Sequence, residues 1–185
     1  MKTILVLVMA GFIVSCGDGD RTKTDSDVKT DRDTMATTNA QAMNPDDAAL
    51  LRESMQENYR ELRMADLALR KSSNSEVKKI AEMLRTDHAA TEKNIMSLAA
   101  QKSVALSAPD SMPVLKDIDD MGAKNAIAFD KDWCREMSNA HEKKIKKFER
   151  ASSTVMDADL RNWINDMIPT LKTHYDALEA CRKKL

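Results

Sequence analysis

The chain has 185 residues, with 29 Lys+Arg against 30 Asp+Glu and a formal net charge of −1. That balance suits one domain with added segments and lacks the clustered basic face that a nucleic-acid partner requires, so no nucleic acid is expected. Aromatics make up 4% of the chain, with 4 Gly and 4 Pro, too few strand formers and turn residues for a β fold, while helix formers such as Ala, Leu, Met, Glu and Lys abound; an all-α fold is expected.

Residues 1–15, MKTILVLVMAGFIVS, carry Lys2 and an apolar run from Ile4 to Val14. The run is too short for a permanent bilayer-spanning helix and suits the core of a secretory leader. It ends Ile13-Val14-Ser15-Cys16, similar to a bacterial lipobox, in which the leader is cut before the cysteine and the cysteine takes the lipid. Residues 1–15 are thus expected to be a lipoprotein signal peptide and Cys16 the lipidation site. An ordinary secretory signal beside an incidental cysteine is the alternative. Acyl chains at about 0.8 kcal/mol per buried methylene would anchor the protein. The expected partner is a membrane, and the expected location is the bacterial cell envelope, with the domain in the periplasm or on the cell surface.

Residues 16–45 are mostly Asp, Thr, Lys and Ser with almost nothing to bury. Such a stretch cannot offset its chain entropy and reads as a flexible tether. The domain is expected over 46–185. Asn44-Pro45-Asp46 can cap and start a first helix, whose apolar positions run Leu51, Met55, Asn58, Leu62, Ala65, Leu69. Ser72–Ser75 stops it. A second helix carries Val77, Ile80, Ala81, Leu84, His88, Thr91, Ile95 and Leu98. A long connection with Pro109 and Pro113 follows, holding a short helix from Val114 to Met121 that ends at Gly122. The third long helix, from about Asn125 to Ala151, has the stripe Trp133, Met137, His141, Ile145, Phe148. Asp157 caps the fourth, with Leu160, Ile164, Met167, Leu171, His174, Leu178 and Cys181. Pro169 removes one amide donor inside it and frees the carbonyl of Asn165. Four amphipathic helices with short turns inside each pair predict an antiparallel four-helix bundle with a long second-to-third connection.

The chain has three histidines, and each falls on the apolar stripe of a different helix. Opposed residues in an antiparallel pair have a constant sum of numbers. His141 with His174 and Cys134 with Cys181 share one sum, so if the histidines face each other, so do the cysteines, about two turns away. In an exported protein those thiols could join as a disulfide, with free buried thiols as the alternative. Aligning the two hairpins at their Ser-Ser turns puts Glu61 where His141 lies, which allows an inward Glu61; an exposed Glu61 at the stripe's edge is the alternative.

The stretches Glu61-Leu62-Arg63-Met64-Ala65, Val77 to Leu98 with Asp87-His88, Phe129-Asp130 through Trp133 and Met137 to His141, and Ile168-Pro169-Thr170-Leu171 with His174 resemble the domain-of-unknown-function 4142 family. The resemblance covers Asp46 to Leu178 and implies an exported bacterial protein with a ferritin-like bundle. Ala140 and Trp133 depart from the family's usual acidic and Tyr residues. The family name confers no activity.

Di-iron carboxylate bundles need Glu on two helices and Glu-x-x-His on the others. Here Arg85, Ser138 and Leu171 stand three residues before the histidines, so that chemistry is disfavoured. His88, His141, His174 and Glu61 are the candidate ligands for a single Zn, Cu or Fe ion. Asp87 points about 100° around the helix from His88 and reads as a poor co-ligand. Met137 and Met167 lie near the histidines in sequence, where soft sulfur could favour Cu(I), though core filling is the commoner use of Met. Three neutral histidines hydrogen-bonded in a core, in a structural or stress-related interaction lipoprotein, is the other reading. No Ser-His-Asp order, Gly-rich phosphate loop or HExxH occurs, so no catalytic residue is assigned and an enzyme is the weaker option.

Overall fold

A computed structural model describes residues 42–107 and 112–185, all within one compact unit spanning Asn39–Leu185. The expected leader, Cys16, the tether up to residue 41 and Pro109 lie outside the described residues. Among the described residues the protein is all-helical: α1 Pro45–Lys71, α2 Ser75–Gln101, α3 Met112–Gly122, α4 Ala126–Thr154 and α5 Ala158–Lys184. None of these helices is long and apolar enough to cross a membrane.

The starts of the long helices follow from local hydrogen bonding. Asn44 Oδ1 accepts from the amides of Asp46 and Asp47 at 3.1 and 3.0 Å. Asn74 Oδ1 does the same for Glu76 and Val77 at 2.9 and 3.3 Å. Asn125 Oδ1 takes the amide of Ala128 at 3.0 Å, and Asp157 Oδ1 that of Leu160 at 2.9 Å. Each cap satisfies amides that the first helical turn leaves free. Pro45 sits at the first position of α1, where its missing N–H costs nothing.

Two helical hairpins result, α1 on α2 and α4 on α5, and α2 meets α5 while α1 meets α4. The short α3 crosses between the hairpins and touches α1 and α4. The interior has two apolar halves. One gathers Met64, Ala68, Leu84, Trp133, Cys134 and Leu178 among others. The other gathers Leu51, Ile95, Phe148, Leu160, Ile164 and Leu171. Trp133 Nε1 donates to the Met64 carbonyl at 2.9 Å, pinning α4 to α1.

The stripes expected for α2 and α4 are buried as read. In α5 all but Met167 are buried, and Met167 is half-buried. In α1 the buried face drifts: Glu61, Met64 and Ala68 are inside, and Leu62 and Leu69 only half-buried. The helix α5 continues through Pro169.

Candidate metal centre

Between the two apolar halves lies a layer of polar side chains: Asn58, Glu61, His88, Ser138, His141, Lys144 and His174, each at most 6% exposed. Three helices supply the histidines, α2, α4 and α5, while α1 supplies Asn58 and Glu61. The three rings form a near-equilateral cluster with centroids 5.6, 5.4 and 5.3 Å apart. One nitrogen from each ring lies within 4.8 Å of one from each of the others.

The second nitrogen of every ring is committed elsewhere. Asn58 Nδ2 donates to the His88 carbonyl at 2.9 Å, which turns Asn58 Oδ1 toward His88 Nδ1, also at 2.9 Å. An amide oxygen only accepts, so His88 carries its proton on Nδ1. His141 Nδ1 lies 2.8 Å from the Met137 carbonyl, another pure acceptor, and likewise bears the proton. His174 Nε2 donates to Asp87 Oδ2 at 2.9 Å. A neutral imidazole has one N–H and one lone pair. The lone pairs therefore fall on His88 Nε2, His141 Nε2 and His174 Nδ1, and these three atoms are buried without a hydrogen-bond partner.

Burial and neighbouring charge shift His88, His141 and Glu61 away from their ordinary values. Burial pushes His88 down to about 3, with Lys144, His141 and His174 adding to the push and Glu61 opposing it. Burial likewise holds His141 down at about 4, against the pull of Glu61. Burial raises the Glu61 carboxyl, but Lys144, His88 and His141 together outweigh it and bring it to about 2. Lys144 Nζ donates to Glu61 Oε2 at 2.6 Å. Neutral imidazoles beside a closed ammonium–carboxylate pair are what a cation-binding cluster needs, because a ligand nitrogen must be deprotonated.

The structure thus brings His88, His141 and His174 together. Glu61 does face inward, yet its carboxylate is held by Lys144 and lies 3.5 Å from His88 Nδ1, the protonated side of that ring. It is outside the group whose atoms converge. Asp87, set aside as a ligand in the sequence reading, has a different role: it orients His174 from the neighbouring helix. Lys144 was not singled out from sequence, although it stands three residues after His141, one turn along the same face. Beside His88, a cavity of about 10 Å³ open to the centre of a water molecule is lined by Asn58, Thr91, Lys144, Trp163 and Met167. That is room for about one water.

Cys134 and Cys181, expected to face each other, are both buried and both free thiols, and they pack in the same apolar cluster. Interaction with Cys181 together with burial pushes the Cys134 thiol up.

Comparison with solved structures places the fold among known helical bundles. A DUF305 fragment from Deinococcus radiodurans superposes with a TM-score of 0.69 at 10% identity, covering 78% of this chain and 99% of that one. CopM in its Cu(I)-bound form gives 0.63 at 18% identity, covering 75% and 96%. CopM in its Cu(II)-bound form gives 0.60 at 16% identity over the same shares. No curated protein sequence matches the chain. Residues 32–181 match the family model described as Domain of unknown function (DUF4142), and the chain belongs to that family.

Proposed function

We propose that this protein holds one copper ion, in the Cu(I) state, through His88 Nε2, His141 Nε2 and His174 Nδ1, in the core of an antiparallel, ferritin-like four-helix bundle. We further propose that lipidated Cys16 anchors it in the bacterial cell envelope. The observation that carries the metal reading is the set of ring orientations: each N–H is aimed at an acceptor, and each remaining lone pair is buried without a donor.

The donor set favours copper over the alternatives. Structural zinc sites are almost always closed by four protein ligands, and non-haem iron sites use a carboxylate among theirs. Here the nearest carboxylate, Glu61, is closed by Lys144. Imidazole nitrogens suit copper, and three neutral ligands in a buried site favour its monovalent state. The Glu61–Lys144 pair cancels in charge, so the Asp87 carboxylate is the remaining charge against the site, and one positive charge balances it. Burying a second charge would cost several kcal/mol more. Asp87, Asn58 and the Met137 carbonyl act as the outer partners that fix ring orientation in histidine metal sites. Three imidazoles on one ion lie roughly 3.4 Å apart, so the rings close by about an ångström from their 4.8 Å spread. The copper-bound forms of CopM, a protein of similar fold, support the choice of metal.

Elemental analysis of the tag-free protein, loaded with Cu(I) under reducing conditions, tests the reading. One copper per chain is expected, lost in His88→Ala, His141→Ala and His174→Ala alike. Equal copper in the wild type and all three variants would refute it. A Cys16→Ser protein that still fractionates with membranes would refute the anchor.

A further inference from the structure

One turn before Cys134 on α4 stands Asp130, which is 8% exposed and whose Oδ1 is buried without a hydrogen-bond partner. Cys134 on α4 and Cys181 on α5 are 0% and 1% exposed and pack in the same apolar cluster. Two thiols packed in one cluster on facing helices, with an unpartnered carboxylate oxygen one turn away, have the parts of a redox centre: a pair of sulfurs and an acceptor for the protons they release.

The dithiol also has a fixed relation to the histidines. Cys134 and His141 are seven residues apart on α4, and His174 and Cys181 seven apart on α5, about 10 Å along each helix. The space between is filled by Met137, 0% exposed, whose carbonyl accepts from His141 Nδ1. Burial of both sulfurs shuts out oxidants that must touch sulfur, such as a second disulfide, because exchange requires in-line access. An electron can cross packed protein where an atom cannot.

From this arrangement we propose a further activity, resting on the copper reading above: Cys134 and Cys181 are the reductant for Cu(II) arriving at the histidine cluster. Two thiols and two Cu(II) ions, bound in turn at the one site, yield one disulfide, two Cu(I) and two protons. The S–S bond forms between Cys134 Sγ and Cys181 Sγ as both S–H bonds break. Each sulfur loses one electron, which passes along α4 and α5 to the copper. The protons go in turn to Asp130 Oδ1, which returns them to solvent through its exposed edge. A buried site with three neutral ligands penalises the second positive charge of Cu(II), which helps a dithiol to reduce it. A single pass delivers two electrons per chain.

The test uses full-length, reduced, tag-free protein under argon, with two equivalents of Cu(II) added. Peptide-level alkylation reads the state of Cys134 and Cys181, and electron paramagnetic resonance reads Cu(II). In the wild type the Cu(II) signal is expected to vanish and both thiols to become unavailable to alkylation as a Cys134–Cys181 disulfide. Cys134→Ser and Cys181→Ser are each expected to leave the Cu(II) signal of the added copper undiminished. Asp130→Asn is expected to slow the loss of signal without changing its end point. Bound Cu(II) that persists in the wild type with both thiols free overturns the reductant role and leaves the copper site standing. Equally fast thiol oxidation in His141→Ala also overturns it, since the electrons would then bypass the cluster. No copper bound to the wild type overturns both readings together.

Discussion

Acidification of the metal-free protein is the most direct probe of the histidine layer. His88 and His141 are neutral in the fold, held down at about 3 and about 4, against 6.5 for an unburied imidazole. A group whose pKa is depressed on folding binds its proton first in the unfolded chain, so stability is lost as pH falls below 6.5. Each unit of pH then costs up to about 1.4 kcal/mol per histidine. Between pH 7 and 5 the two together remove roughly 3–4 kcal/mol, a large share of the 5–15 kcal/mol typical of a domain. Glu61, held at about 2 rather than 4.5, adds its loss lower, as pH falls from 4.5 toward 2. The groups that face these rings, Lys144, His174 and Asp87, are part of the same balance. Urea titrations followed by circular dichroism at pH 7, 6 and 5 measure the effect. The midpoint is expected to fall steeply, and a His141→Leu protein to show about half the slope. A midpoint that is flat or rises over this range would mean that the rings are not neutral and buried, and the metal reading would fall with it.

Three further outcomes follow from the same contacts. Lys144→Met leaves the Glu61 carboxylate buried and unpaired, which should cost about 3–5 kcal/mol in a urea titration, with Lys144→Met/Glu61→Gln recovering most of it. Asp87→Asn keeps the fold, because that side chain is 43% exposed, yet should weaken copper binding by about 10–100-fold in a competition titration by loosening His174. Asn58→Ala removes the partner that places the His88 proton on Nδ1 and should cost roughly 1–3 kcal/mol, with a change in the His88 ring-nitrogen shifts by nuclear magnetic resonance.

Much of this layer could be read from the chain. The stripes of α2 and α5 hold to an alternating 4,3 spacing and that of α4 steps by 4,4,4,3, each carrying one histidine, and the shared sum of His141 with His174 and Cys134 with Cys181 set two helices in register. Asn58 also lay on a legible stripe. What escaped was anything set by rotation of a few tens of degrees or by side-chain reach across helices. Leu62 and Leu69 looked inward because they fit the alternating pattern, but the face that α1 buries against its neighbours in this half runs through Glu61, Met64, Ala65 and Ala68. Asp87 looked irrelevant because a helical wheel places it away from His88, but its partner is His174 on α5, and one helix's wheel says nothing about another helix. Lys144 escaped because a charged residue beside an apolar stripe is ordinarily a solvated edge; here its ammonium finds Glu61 on α1. Buried charges are paired or not buried, so an inward Glu61 already demanded a cation from a neighbouring helix.

The layer is difficult to explain as a device for stability. Three ring nitrogens with lone pairs and no donor cost about 1–3 kcal/mol each, and leucines in their place would pack against the two apolar halves without that cost. Asn58, Asp87 and the Met137 carbonyl make the cost permanent rather than relieving it, since they fix every N–H away from the centre. Rotating one ring by half a turn would pair an N–H with a neighbour's lone pair, and each outer hydrogen bond opposes that rotation. An arrangement that holds three acceptors together against their own repulsion is preorganised for a cation, and binding the ion returns the free energy that assembling the cluster took up.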